Sequence, residues 1–212
     1  MDPAVSLVQA YFYANGYFTV SEYPVVEARS DGRYRSLTDL DILAVRFPGV
    51  RRLLPSGEET YSDDVRQRVS DPVLGHLDGR IEFAIVEVKE GRAELNRGAI
   101  DPGVLRTALA RFGAFDPDEI DGIVEHLIRD GEALPSDDVR IRLFAFGSSH
   151  GSKGSRKYTV VTLAHVVDYF TRLFQQNIDI MPAAQFKDPA VGLLALLAKA
   201  TLGRGAAGRG ER

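Results

Sequence analysis

The stretch Ile81-Glu82-Phe83-Ala84-Ile85-Val86-Glu87-Val88-Lys89-Glu90 decides how the rest of this chain is read. Side chains alternate along a strand, so Ile81, Phe83, Ile85, Glu87 and Lys89 share one face, and Ala84, Val86 and Val88 share the other. Both faces are apolar over most of their length, which is the pattern of a central strand covered on both sides. The first face ends in a carboxylate and an ammonium set side by side. Ionised groups at the edge of a buried face need a partner, and a bound cation is one such partner.

Upstream, a strand from about Tyr34 to Phe47 places Asp39, Asp41, Leu43, Val45 and Phe47 on one face, with Leu40, Ile42 and Ala44 on the other. It too carries carboxylates on a face that continues as core. Before it come a helix from Pro3 to Ala14, capped by Asp2 and stopped at Asn15-Gly16, and a strand from Tyr17 to Glu27. Ser30-Asp31-Gly32 makes the turn between the two strands. The polar segment with Arg51, Arg52, Asp63, Asp64, Arg66 and Arg68 reads as an insertion, mostly solvated loop with one short helix begun by Ser62.

Downstream, Asp101 caps a helix from Pro102 to Phe112, and a second follows from Asp116-Pro117 to about Asp130. The pair is a small helical insertion over about 101–131. A strand from Val139 to Phe146, a basic loop from Gly147 to Lys157 expected to be flexible, and a short strand from Tyr158 to Leu163 come next. An amphipathic helix then runs to about Gln176. The order predicts an α/β fold with a mixed central sheet, one domain over 1–180. Residues 181–202 hold an apolar helix, whose Leu193, Leu194, Leu196 and Leu197 either fold back on the core or form a docking surface; 203–212 read as a disordered tail.

With 212 residues, 44% apolar and 26% charged, the composition supports one large domain with a real core. Cysteine is absent, which excludes disulfides, zinc ribbons and thiol nucleophiles. The start of the chain lacks the basic flank and apolar run of a signal peptide, and no run is long enough to span a bilayer, so a cytoplasmic location with no membrane partner is expected. A net charge of −4 argues against coating nucleic acid through bulk charge, while leaving room for local basic surfaces. His76, His126, His150 and His165 are scattered without metal-ligand spacing. Ser152 spoils a Walker pattern before Lys153, and the neighbouring serines lack a nucleophile elbow.

Glu87-x-Lys89 together with Asp41 is the leading constellation. Two carboxylates suit a hard cation such as Mg²⁺, with water and a phosphate filling its remaining positions. A lysine one pleat away is placed to serve an attacking water or to stabilise charge building on the phosphate. Taken alone the triplet is weak, since average composition supplies on the order of one Glu-x-Lys in a chain of this size. Against the surface-charge reading of the same residues, it gains weight from lying on a buried strand that follows a second strand bearing Asp39 and Asp41.

The series of helix, hairpin, Thr38-Asp39-Leu40-Asp41-Ile42-Leu43, then Ile85-Val86-Glu87-Val88-Lys89 and a helix resembles the PD-(D/E)xK nuclease superfamily, in its restriction-endonuclease-like and Holliday-junction-resolvase-like branches. The resemblance covers about residues 3 to 112. It implies an αβββαβ core and Mg²⁺- or Mn²⁺-dependent cleavage of DNA, less often RNA. It makes Asp41 and Glu87 the metal-binding acids, with the Val88 carbonyl as a further ligand, and Lys89 the catalytic lysine. Asp39 is an auxiliary acid. Gln9 stands where several branches carry a glutamate, Leu40 stands where a proline precedes the aspartate, and Asn96 is the nearest amide after the lysine. Arg92, Arg97, Lys153, Arg156 and Lys157 are candidate nucleic-acid contacts, as are Arg29, Arg33 and Arg35 on the first hairpin. The rival expectation is a catalytically silent nucleic-acid-binding module, or a subunit dependent on a partner protein or a second copy, as in a defence or restriction assembly.

Overall fold

The strand β3 (Ile81–Val88) runs through the middle of a six-stranded sheet, as its two apolar faces require. The computed structural model describes residues 2–48, 71–75, 79–150, 157–176 and 188–207. The sheet order is β1 (Phe18–Ala28), β2 (Tyr34–Arg46), β3, β6 (Val139–Gly147), β5 (Glu132–Ser136), with β8 (Thr159–Thr162) also on β6. The β1/β2, β2/β3 and β5/β6 pairs are antiparallel, whereas β3/β6 and β6/β8 are parallel. The fold is therefore mixed α/β, as the order of elements predicts. Among the described residues no helix is long and apolar enough to cross a membrane.

One sheet face buries Ile42, Ala44, Ala84, Val86, Phe144 and Phe146 beneath α1 (Pro3–Ala14), α4 (Leu163–Gln176) and α5 (Pro189–Ala207). The N-terminus of α1 is set by Asp2, whose Oδ1 accepts from the Ala4 N–H at 2.7 Å, and by Pro3 in the first turn. Val5, Val8, Tyr11 and Phe12 then fall on its buried side, and Tyr11 meets Tyr169 of α4 edge to face at 5.0 Å. The other face buries Leu43, Phe83, Ile85, Ile141 and Leu143 beneath α2 (Pro102–Phe112) and α3 (Pro117–Asp130). Covering β3 from both sides this way buries it from Glu82 to Val88, with Ile81 at its start and Lys89 just past its end partly exposed.

The face under α1 also holds a buried ion cluster that alternation alone leaves unpartnered. Glu82 accepts from the Tyr17 hydroxyl at 2.6 Å, from Arg140 Nε at 2.8 Å and from Arg142 Nη2 at 3.3 Å, and pairs with Arg46 as its cross-strand neighbour. Burial alone would raise the Glu82 pKa. The Tyr17 bond and the Arg142 and Arg46 guanidiniums outweigh it and hold the carboxyl below its ordinary value. Arg142 also donates to the Leu74 carbonyl at 2.6 Å, tying a 3-10 turn at Pro72–Leu74 to the sheet.

Several elements depart from expectation. Strand β5 is unforeseen because Glu132–Ser136 is short, mostly exposed and contains Pro135, a residue an edge strand tolerates. The start of the basic loop is not free chain, since β7 (Ser149–His150) pairs in parallel with β4 (Arg92–Ala93). Helix α5 continues to Ala207, through the first part of the segment expected as tail. Leu40 packs with Leu43 on the α2 side, although strict alternation separates them. The remaining tail 208–212, the insertion at 49–70 with its helix at Ser62, and 151–156 of the basic loop lie outside the described residues.

Candidate active site

The β2/β3 ladder ends at Ile42 opposite Val86, and the next pair in the same register is Asp41 opposite Glu87. From there the two strands part company. Strand β3 stays on β6, with Glu87 opposite Ala145 and the Lys89 N–H donating to the Phe146 carbonyl at 3.0 Å. On its other side, the Val88 N–H is taken by a side chain in place of a carbonyl: Asp41 Oδ2 accepts it at 2.7 Å. A wedge thus opens between β2 and β3, held across its mouth by one charge-assisted bond. N–H and C=O of one strand residue point the same way, so the Val88 carbonyl faces the wedge as well.

The wedge concentrates negative charge in a partly dry place. Burial raises the Asp41 pKa; the Val88 N–H opposes this, and Asp2, Asp39 and Glu22 reinforce it. Glu87 is pushed up to about 7, first by burial and then by the Asp41 charge, against the opposing pull of the Lys89 ammonium and of Asn96. Two carboxylates this close cannot both ionise cheaply, so the pair holds a proton or a cation near neutral pH. Asn96 Nδ2 donates to Glu87 Oε1 at 2.5 Å, while its own Oδ1 accepts from the Ala99 N–H at 2.6 Å. That second bond locks the amide's orientation, and with it the orientation of the glutamate.

Of the residues singled out from sequence, Asp41, Glu87, Val88, Lys89 and Asn96 come together. Asp39 is exposed, and the continued register sets it opposite Lys89. Gln9 is half-buried, its Nε2 donating to Thr19 Oγ1 at 3.2 Å, so its amide joins α1 to β1. Arg92 and Arg97 are exposed on the segment that carries Asn96; the adjoining Gly98 lies against Thr38 of β2. Lys157 is exposed at the entry to β8, and Lys153 and Arg156 lie outside the described residues.

Glu22 escaped sequence reasoning. It occupies the β1 position opposite Asp41 and is, among the described residues, the one non-glycine residue at positive φ, 52°. A left-handed residue in mid-strand costs about 1–3 kcal/mol, and here it coincides with the site where β2 swaps faces and Leu40 turns toward α2. Glutamate carries no propensity signal for that conformation, and nothing in the local sequence marks it.

The donor set fits a hard divalent cation of the Mg²⁺ type, which binds through one or two carboxylates and keeps several waters. A closed all-protein cage is not present: among the described residues no group of three or more His, Cys, Asp or Glu side chains is arranged to hold a metal. Burial and the Asp41 charge, which push Glu87 up to about 7, would be relieved by a bound cation as they are by a proton. Comparison with known proteins yields no matching family model, no matching curated protein and no matching solved structure.

Proposed function

We propose that this chain is a metal-dependent nuclease of restriction-endonuclease-like fold that hydrolyses phosphodiester bonds in DNA. The observation that carries the reading is the wedge, where Asp41, Glu87 and Lys89 meet at the C-terminal end of β3, with Glu87 buried and Asp41 and Lys89 partly exposed. Asp41, Glu87 and the Val88 carbonyl would hold Mg²⁺ or Mn²⁺, which supplies Lewis-acid stabilisation of charge on the phosphoryl oxygens.

The chain's own residues do the rest. Asn96 holds Glu87 in one rotamer, and the Val88 N–H holds Asp41, so both acids are oriented before substrate arrives. Lys89 stands one pleat beyond Glu87, half-buried just past the end of β3. From there its ammonium orients the attacking water and stabilises the extra charge on phosphorus-bound oxygen, while the water's proton passes to solvent. Hydrolysis adds the water oxygen to phosphorus and breaks one P–O bond to sugar; the departing alkoxide takes a proton from solvent.

One observation favours a second reading, a catalytically silent binding module. Among the described residues no third His, Cys, Asp or Glu side chain is arranged with Asp41 and Glu87 to hold a metal. The deciding experiment is cleavage of plasmid, linear, single-stranded and branched DNA with Mg²⁺ or Mn²⁺, alongside calorimetric titration of Mn²⁺. Metal-dependent cutting that disappears in Lys89→Ala, with Mn²⁺ binding retained, is the expected result. A folded protein that neither binds Mn²⁺ nor cuts any of the four substrates rules the nuclease out in favour of the binding module.

A further inference from the structure

The β1/β2 hairpin is much longer than the sheet it belongs to. Strand β2 is paired to β3 only from Ile42 to Arg46, while β1 and β2 stay paired out to Ala28 and Tyr34. Every residue from Val26 to Leu37 is exposed, on both strands and in the turn. Beyond Asp41 the hairpin is still held by the buried Val25 and Leu40, and the exposed part, Tyr34 to Leu37 on β2, is a two-stranded arm roughly 13 Å long at about 3.3 Å per residue. Its root lies just before the acid pair, and Thr38 at that root packs beside Gly98 on the segment carrying Arg97 and Asn96.

The arm's two faces differ. Tyr23 and Val25 of β1 belong to the α2-side core, and Arg111 of α2 stacks over the Tyr23 ring at 5.6 Å. Alternation continues that face through Glu27 and its cross-strand partner Arg35, then through Arg29 and Arg33, which are bonded to each other through their backbones. This is also the side to which Phe83, Ile85 and Glu87 point. The opposite face carries Val26, Ala28, Tyr34 and Ser36. Arg35 pairs with Glu27 at 2.7 Å, and Arg29 lies 3.7 Å from Asp31, with all four side chains about half exposed. Exposed pairs of this kind contribute little stability, so their guanidiniums are available to phosphates at small cost.

Building on the nuclease reading, we infer that this arm grips double-stranded DNA, laying Arg29, Arg33 and Arg35 along the phosphate backbone so that the strand passing its root lies over Asp41 and Glu87. The major groove of B-form DNA, about 12 Å wide, admits a two-stranded ribbon. The major groove of an A-form RNA duplex is too deep and narrow to do so. Shape therefore selects DNA over duplex RNA, and the arginines supply the sequence-independent attraction.

The test measures binding of a short fluorescein-labelled DNA duplex and the matching RNA duplex in EDTA, across a salt series. The proteins are the full chain, Arg29→Gln/Arg33→Gln/Arg35→Gln, the same three positions as Lys, and a control with Arg129→Gln/Arg172→Gln/Lys199→Gln. The control changes net charge equally at exposed sites on α3, α4 and α5. Losing three phosphate contacts lowers the salt slope by about 2.7, so a rise from about 50 to 200 mM salt weakens the natural chain about 40-fold more than the glutamine variant. The lysine variant and the control should keep the natural slope, and the RNA duplex should bind at least about tenfold more weakly than DNA. Equal slopes for the natural chain and the glutamine variant overturn the inference. So do an equal loss in the control, RNA binding as tight as DNA binding, or no DNA binding at all. The underlying nuclease reading fails separately: the arm would still bind DNA in a protein that neither binds Mn²⁺ nor cuts.

Discussion

Glu87→Gln should make the metal-free protein more stable above neutral pH and leave it nearly unchanged in acid. Glu87 has an ordinary pKa of 4.5 and stands at about 7 in the fold, because burial and Asp41 both disfavour its charge. The folded state therefore binds the proton more tightly than the unfolded chain does. Its stabilising effect is fully present below pH 4.5 and is lost as pH rises through about 7. The pKa difference, from 4.5 to about 7, sets a ceiling of about 3.5 kcal/mol, at about 1.4 kcal/mol per tenfold change in proton affinity. Asp41 and Lys89 are half-buried, so water reaches the pair and screens it, which leaves about 1–2 kcal/mol. Glutamine keeps an acceptor for Asn96 but cannot ionise. Urea unfolding in EDTA at pH 5 and pH 8 reads the effect as the natural chain's stability minus the variant's. That difference should fall by about 1–2 kcal/mol between the two pH values, and Mn²⁺ at pH 8 should restore the natural chain alone. A difference that does not move with pH would refute the claim that the two carboxylates share one dry site.

Three further outcomes follow from other parts of the fold. Glu82→Gln leaves Arg46, Arg140 and Arg142 without their shared carboxylate and should cost about 3–5 kcal/mol in urea unfolding at pH 7. The natural chain should lose the same contribution in acid, as pH falls below 4.5 through the depressed pKa of Glu82. Asp41→Asn keeps an acceptor for the Val88 N–H, whereas Asp41→Ala strands that N–H at a cost of about 1–3 kcal/mol. Both should lose Mn²⁺ binding in calorimetry, but only the alanine variant should show a lowered melting temperature. Gly131 sits at φ 74°, and a β-carbon there would fall 1.2 Å from the Lys157 carbonyl oxygen, whereas Gly113 at φ 67° has nothing within 4 Å. Gly113→Ala should therefore cost about 1 kcal/mol and Gly131→Ala well over that, read by thermal unfolding.

The parts of the fold written in short-range pattern were legible. The doubly apolar β3, the Asp-Pro starts of α2 and α3 and the amphipathic stripe of α4 all signal themselves within a dozen residues. Asp41, Glu87 and Lys89 were legible as types and spacing, yet what joins them is the point where a ladder ends, and no local pattern marks that point. Glu82 shows the limit more sharply. Alternation assigns it to the same face as Ala84 and Val86, where a lone carboxylate is forbidden. Its partners Arg46, Arg140 and Arg142 come from two other strands, and only strand order and register bring them to it. The twist at Glu22 was invisible for a different reason. Its left-handed backbone is imposed by the surroundings against the residue's own preference.

Strand β2 is a beam clamped on both sides from Ile42 to Arg46 and on one side from Asp41 outward. Packing of Leu40 and Val25 on the α2-side core stiffens the strand next to Asp41, so bending of the exposed part concentrates near Thr38 and reaches Asp41 only through Leu40. The Val88 N–H is the tether that resists displacement of Asp41. A pull at Tyr34 is therefore transmitted along one continuous strand to the spacing between two carboxylates. Exchange of the Val88 amide hydrogen is the natural gauge of that strain, slowing when the arm is held and quickening when it swings.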